Sequence, residues 1–256
     1  MKQLVAFTKK ELMEIVRNGK LLILIIIFSL LGIMNPAIAK LTPWIMKQFS
    51  DSLEETGIVV TEVTVDAMAS WTQFYKNIPM GLIVFLLLFS GIIANELQKG
   101  TLINMITKGM SRKAILIAKT IVTLALWTFN YWLCYGITYG YNAYFWDNSV
   151  AKHVGVAATL FYILGVWLIF LMMMMAVFFN TASGVTVGTG AVFFLSYLLS
   201  VVPDIKKYLP TKLMDAGGLL ADAGAVKDYS ACLGVVAVLC IIQFVISLVV
   251  FDKKQI

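Results

Sequence analysis

The chain has 256 residues, 60% of them hydrophobic and 13% charged, with a mean hydropathy of +0.88. An ordinary soluble domain is ~45–50% apolar and ~25% charged, so this composition excludes disorder, a collagen-like fibre and a water-soluble enzyme domain. The net charge of +6 sits on residues that flank apolar runs, not on a basic stripe interleaved with aromatics. It therefore reads as a topology signal and excludes a nucleic-acid partner.

Residues 2–19 come first in chain order. Leu4, Val5, Thr8, Leu12, Ile15 and Val16 share one helical face, while Lys2, Lys9, Lys10 and Arg17 lie elsewhere on the wheel. That pattern predicts an amphipathic helix lying in the headgroup plane. Six apolar runs follow, from Leu21 to Ala39, Ile78 to Ala94, Ile115 to Gly140, His153 to Phe179, Gly184 to Val202 and Ser230 to Phe251. Each is near or above the ~17–25 residues that cross a bilayer as a helix. Inside hydrocarbon the backbone must satisfy its own polar groups, so helix is the expected conformation. The fold class is thus an all-α integral membrane protein, one membrane domain over residues 1–256.

The first run, ending in Ala37-Ile38-Ala39, also has features of a cleavable signal peptide. The long patterned charged segment before it argues for a retained span. Between the first and second runs, residues 40–76 are acidic, and the stretch 57–65 alternates enough to allow a short strand. Before the last run, residues 203–229 carry Pro203, Pro210, Gly217, Gly218 and Gly224 between moderately apolar pieces. They predict short half-helices that dip toward the membrane on the external side.

Orientation follows from Lys and Arg. With the N-terminus in the cytoplasm, twelve basic residues fall inside in short segments and eight fall outside in longer ones. The positive-inside rule then places both termini on the cytoplasmic side of a cell membrane. Trp44, Trp71, Tyr144 and Trp146 stand where interfacial anchors belong.

Little in the runs carries chemistry. Cys134, Cys232 and Cys240 are odd in number and lie within apolar stretches, which suits small buried residues and neither a disulfide framework nor a zinc site. His153 is the single histidine and starts a span, so no multi-histidine metal site exists within the chain. No catalytic residue and no metal ligand is assigned. Gly184 and Gly188 read as a close helix-packing position, and Met172 to Met175 as packing. Lys119 lies about one turn inside the third run and is expected to snorkel to the cytoplasmic surface. Such scarcity of ionisable groups argues against an ion-driven pathway and suits an apolar or amphipathic substrate.

The inner segment 95–114 is the strongest local signal. Leu102, Met105 and Ile106 form a short apolar face bracketed by Gly100 and Gly109, a shape suited to docking in a groove of another protein. Glu96-x-x-x-Gly100-Thr101, followed by Ser111-Arg112 and Lys119, resembles the membrane-domain signature of ABC-2-type permeases, the transmembrane subunits of ABC exporters. The layout of the whole chain is similar to that family too. Two positions depart from it: Gln98 stands where the family often has an acid, and Gly109 where it often has proline.

The resemblance implies that this loop is a coupling helix fitting a separate ABC ATPase subunit, which would bind ATP and Mg; this chain has no phosphate-binding loop and needs no cofactor of its own. It implies that Gly100 and Thr101 shape the helix start, that Leu102 and Met105 enter the groove, that Glu96 contacts the ATPase, and that Ser111 and Arg112 anchor nearby. Six spans are half of the family's usual twelve, which implies a dimer of this chain or pairing with a sister permease, among membrane lipids. The expected function is export of an amphipathic substrate: an antimicrobial peptide, a toxin or a lipid-like molecule. An ATP-independent secondary transporter or a membrane immunity protein is the alternative. An intramembrane hydrolase would need clustered acids or histidines at one depth, which the apolar runs lack.

Overall fold

The computed structural model describes residues 2–48, 65–107 and 109–254. Among them no strand occurs, and six helical segments are long and apolar enough to cross a membrane: Lys20–Gln48, Ala67–Gln98, Arg112–Phe145, Val154–Phe178, Ala182–Leu199 and Val226–Lys253. The chain is an all-α multi-pass membrane protein. Helix α1 (Lys2–Arg17) precedes α2 (Lys20–Gln48). The second span is α3 (Ala67–Phe89) and α4 (Gly91–Gln98), broken at Ser90. A short helix α5 (Thr101–Thr107) leads to α6 (Arg112–Phe145), then α7 (Val154–Phe178) and α8 (Ala182–Leu199). After the four-residue α9 (Pro203–Lys206) come a 3-10 run (Pro210–Ala221), a second one (Val226–Tyr229) and α10 (Ser230–Lys253).

The outer boundaries differ from the expected runs mainly at α2 and α3. Leu41, Trp44 and Ile45 prolong the first helix to Gln48. Asp66 caps the second, its side chain accepting from the backbone N–H groups of Met68 and Ala69. The connection is therefore shorter than 40–76. The strand expected at 57–65 falls almost wholly outside the described residues.

The core lies where α2, α3, α6 and α7 meet. Trp71, Phe74, Phe85, Trp127 and Tyr131 are buried there in edge-on and tilted ring contacts, and the buried Phe161 stacks on Tyr131. Gly165 of α7 admits Trp127: a Cβ at that glycine would lie 2.3 Å from the indole. Trp71 does not take the interfacial place expected of it. It is fully buried and donates its indole N–H to Asn148 Oδ1 at 3.1 Å, because its ring fills the space under Tyr135 and Tyr139. The outward faces of α2, α8 and α10 stay exposed and apolar, as lipid-facing surfaces do.

A polar seam joins the spans toward the side opposite the termini. Pro36 cannot donate to the Gly32 carbonyl four residues earlier. Thr138 of α6 supplies that donor at 3.0 Å and accepts from Asn35 Nδ2 at 3.0 Å. Asn77 of α3 donates to Asn35 Oδ1 at 2.9 Å. One turn along α6, Asn142 is fully buried, and neither carboxamide atom has a partner.

The 203–229 segment packs inward. Leu213, Ala216, Leu219 and Leu220 are buried, and the 3-10 run lies along α7. Lys152 fixes its end, bonding Asp222 Oδ2 at 2.6 Å through its ammonium and the Leu220 carbonyl through its N–H.

Candidate functional site

Among the described residues, the buried charged groups, Glu11 and Lys119, lie on the side that holds both termini. Helix α1 packs against α6, and its buried face is Phe7, Glu11 and Ile15, spaced four residues apart. Val5, Leu12, Met13 and Val16 of its other face remain exposed. The expected apolar face is thus divided: Ile15 turns to the bundle, whereas Val5, Leu12 and Val16 turn outward.

Glu11 is drawn inward by Lys119. The Lys119 ammonium lies 2.8 Å from Glu11 Oε2 and 3.0 Å from Glu96 Oε2. Only 1% of the Lys119 side chain and 4% of Glu11 is exposed. The expectation that Lys119 snorkels to the surface is therefore overturned, because two carboxylates neutralise it where it stands and α1 covers it. Lys10 closes the cluster, 3.0 Å from Glu11, 2.7 Å from Glu14 and 3.8 Å from Glu96. Both ammoniums lie near the Phe7 ring, at 5.3 and 5.7 Å from its centroid. The hydrogen bond from Lys10 holds the Glu14 carboxyl below the usual carboxylate range.

Glu11, Glu14 and Glu96 bring carboxylate oxygens within 4.8 Å of one another, the spacing of a cation site. Lys119 and Lys10 already supply positive charge at that centre, so the donor set does not call for a metal. A cavity of about 540 Å³ adjoins the cluster and is bordered by Lys20, Asn95, Lys99 and Thr101.

Glu96 also begins the turn into α5. Gly100 has φ +66° and Gly109 has φ +86°, left-handed conformations that suit glycine. After α5 the N–H of Gly109 bonds the Ile106 carbonyl at 2.9 Å, and that of Met110 bonds the Met105 carbonyl at 3.2 Å. This is a Schellman closure, and it fixes the helix end. Thr101 donates to the Glu96 carbonyl at 3.3 Å.

The apolar face of α5 is not free to enter a partner. Leu102 is fully buried, and Met105 and Ile106 pack on the chain's own core. The reason is that the short helix folds back under α4, where those side chains leave water. Thr101, Ile103, Asn104 and Thr107 are the exposed residues.

Ser111 caps α6, accepting from the Ala114 N–H at 3.2 Å. Arg112 points to the end of α10, donating to the carbonyls of Asp252 and Lys254, a cation at a helix C-terminus. Lys113 pairs with Asp252 at 3.2 Å, and the Lys254 ammonium bonds the Val177 carbonyl at 2.7 Å. The structure thus brings Glu96, Gly100 and Thr101 together, with Leu102 and Met105 beneath them; Ser111 caps α6, and Arg112 with Lys113 forms a separate clamp on the last span. Gly184 and Gly188 lie apart, where α8 turns back along α7. A Cβ at Gly188 would lie 2.7 Å from Phe179 and 3.1 Å from Met175.

Sequence reasoning missed Glu11, Glu14 and Lys10 as members of the site. The available signal was an acid at position 11 spaced with Phe7 and Ile15 on one face, on a helix leading into the membrane.

Six spans, with an ion cluster sealed at one face, define a multi-pass membrane protein. Residues 22–256 match the family described as "Protein of unknown function (DUF2705)", and the chain belongs to that family. It is also similar to the "Uncharacterized transmembrane protein YxlG" of Bacillus subtilis (strain 168), 21% identical over 246 residues, covering 94% of this chain and 93% of that one. The family match begins at residue 22, after the helix that carries Glu11.

Proposed function

We propose that this chain is the permease subunit of an ATP-driven exporter in a cell membrane, with both termini in the cytoplasm. A separate ABC ATPase binds Mg–ATP, and a second copy or a sister permease completes the pathway for an amphipathic substrate such as an antimicrobial peptide, a toxin or a lipid-like molecule. The observation that carries this reading is the α5 turn. It is a short helix closed by glycines at both ends and tied through Glu96 to Lys119 of α6 and Glu11 of α1. A push on such a turn reaches two other helices through ion pairs, not through a loose loop.

The exposed residues Thr101, Ile103, Asn104 and Thr107 are the surface that an ATPase contacts in this reading. The resemblance of the 96–101 motif to ABC-2 permeases supports the same assignment. Asn104→Cys in otherwise cysteine-free protein tests it. Crosslinking from that position in native membranes should capture an ATPase with a phosphate loop, and Ile103→Glu should uncouple ATP hydrolysis from export. Labelling of the introduced thiol from outside the cell, or the absence of any ATPase on it, overturns the reading.

One observation favours the ATP-independent alternative. A lysine held between two carboxylates inside the bundle is the type of group that ion-coupled transporters use. Uptake or efflux in ATP-free proteoliposomes that collapses with an ionophore would favour it over the exporter.

A further inference from the structure

A second cavity, of about 250 Å³, lies within the membrane between α3, α7 and α8, roofed by Met214 of the 3-10 run. Its back wall is Leu82, Leu164, Leu168 and Met172, all buried. Ile83 and Leu87 on α3, and Gly190 on α8, form its rim and are exposed on the outer surface of the bundle. The slot therefore opens sideways toward lipid.

Its lining offers a ligand no free polar hydrogen. The three hydroxyls present each donate back into their own helix: Ser90 to the Leu87 carbonyl at 2.9 Å, Thr186 to Ala182 at 3.0 Å and Thr189 to Val185 at 2.8 Å. No charged side chain lines it. A polar or peptide group entering here would leave its own hydrogen bonds unmade.

The shape narrows the choice further. The lining follows the second span from Pro79 to the break at Ser90 and α7 from Phe161 to Met172. Each stretch rises about 16 Å, close to the ~15 Å depth of one leaflet, half of a ~30 Å hydrocarbon core. A space so long for its volume takes a thin chain, not a ring system. At Gly190 the absence of a side chain keeps the mouth open, and a Cβ placed there meets no atom within 4 Å.

We propose that this slot is a binding site for one acyl chain of a bilayer lipid, which enters sideways between α3 and α8. The proposal does not depend on ATP-driven export and holds for any transport mode of the chain.

The test uses the full-length protein in phosphatidylcholine vesicles containing phosphatidylglycerol with a diazirine midway along one acyl chain. After illumination, labelled peptides are mapped by mass spectrometry. The expected result is label concentrated on Leu168, Phe193 and their neighbours in the slot. Gly190→Leu fills the mouth and cuts that label about tenfold or more, through the loss of several methylenes of burial. Gly234→Leu, also in open space but on α10, leaves it unchanged. Label spread evenly over the exposed faces of α2, α8 and α10, or label in the slot that survives Gly190→Leu, overturns the proposal. So does efficient disulfide pairing of Gly190→Cys with a second copy, because that copy would then fill the slot. The wild-type map decides the matter even where the leucine variant fails to fold.

Discussion

The hydroxyl of Thr138 donates to the carbonyl of Gly32 at 3.0 Å, replacing from a neighbouring span the donor that Pro36 lacks. The bond lets α2 continue through the proline as one helix where water cannot serve the freed carbonyl. Thr138→Val should lower stability by about 1 kcal/mol. With Pro36→Ala also present, the helix regains its own donor and the valine costs less. A double-mutant cycle on thermal unfolding in detergent measures the coupling; independent, additive effects would refute it.

Lys119 is the charge on which the terminal face closes. Lys119→Met leaves the buried Glu11 and its neighbour Glu96 to share Lys10 alone, a loss of up to about 3–5 kcal/mol. The triple variant Lys119→Met, Glu11→Gln, Glu96→Gln removes the uncompensated charge and should recover most of that stability. Unfolding midpoints of the two proteins decide the point: equal destabilisation would mean that the pairing contributes nothing specific.

Asn142 offers the opposite sign. Its carboxamide is buried with neither atom partnered, so Asn142→Leu removes a desolvated polar group and should stabilise by about 1 kcal/mol. A lower unfolding temperature for the leucine variant would show that the amide is used in the membrane.

Acid should loosen α1. The folded state holds Glu14 below its ordinary value of 4.5 through Lys10, so its contribution is present above that value and is lost as pH falls through the lower folded one. Protection of the α1 amides against hydrogen exchange, corrected for the intrinsic rate at each pH, should fall below about pH 4.5, and Glu14→Gln should flatten that dependence. An unchanged acid profile in the glutamine variant would place the sensitivity elsewhere.

Gly165 and Trp127 are matched by shape. A methyl at Gly165 would fall 2.3 Å from the indole, so Gly165→Ala should cost about 1–3 kcal/mol by overpacking. Trp127→Leu in the same chain should relieve much of that loss in the same unfolding assay.

The six spans were legible because each is an unbroken apolar run long enough to cross hydrocarbon, and α5 because glycines bracket a short periodic segment. What escaped depended on distance along the chain. Glu11 and Lys119 are 108 residues apart, and no local pattern pairs them. Read alone, Lys119 is a lysine near a span end, for which the surface is the ordinary destination. Leu102, Met105 and Ile106 do share one face, but periodicity does not say whether that face meets the chain's own core or another protein. Trp71 escaped for a similar reason: an indole near a helix start suits a headgroup region, and only the neighbouring rings of α6 claim it.

The bond between Glu11 and Lys119 also orders biogenesis. A ribosome that has threaded the first two spans has not yet supplied the lysine, so Glu11 of the leading helix then lacks that partner. Only once the third span has been synthesised can the N-terminal segment be fastened through that lysine.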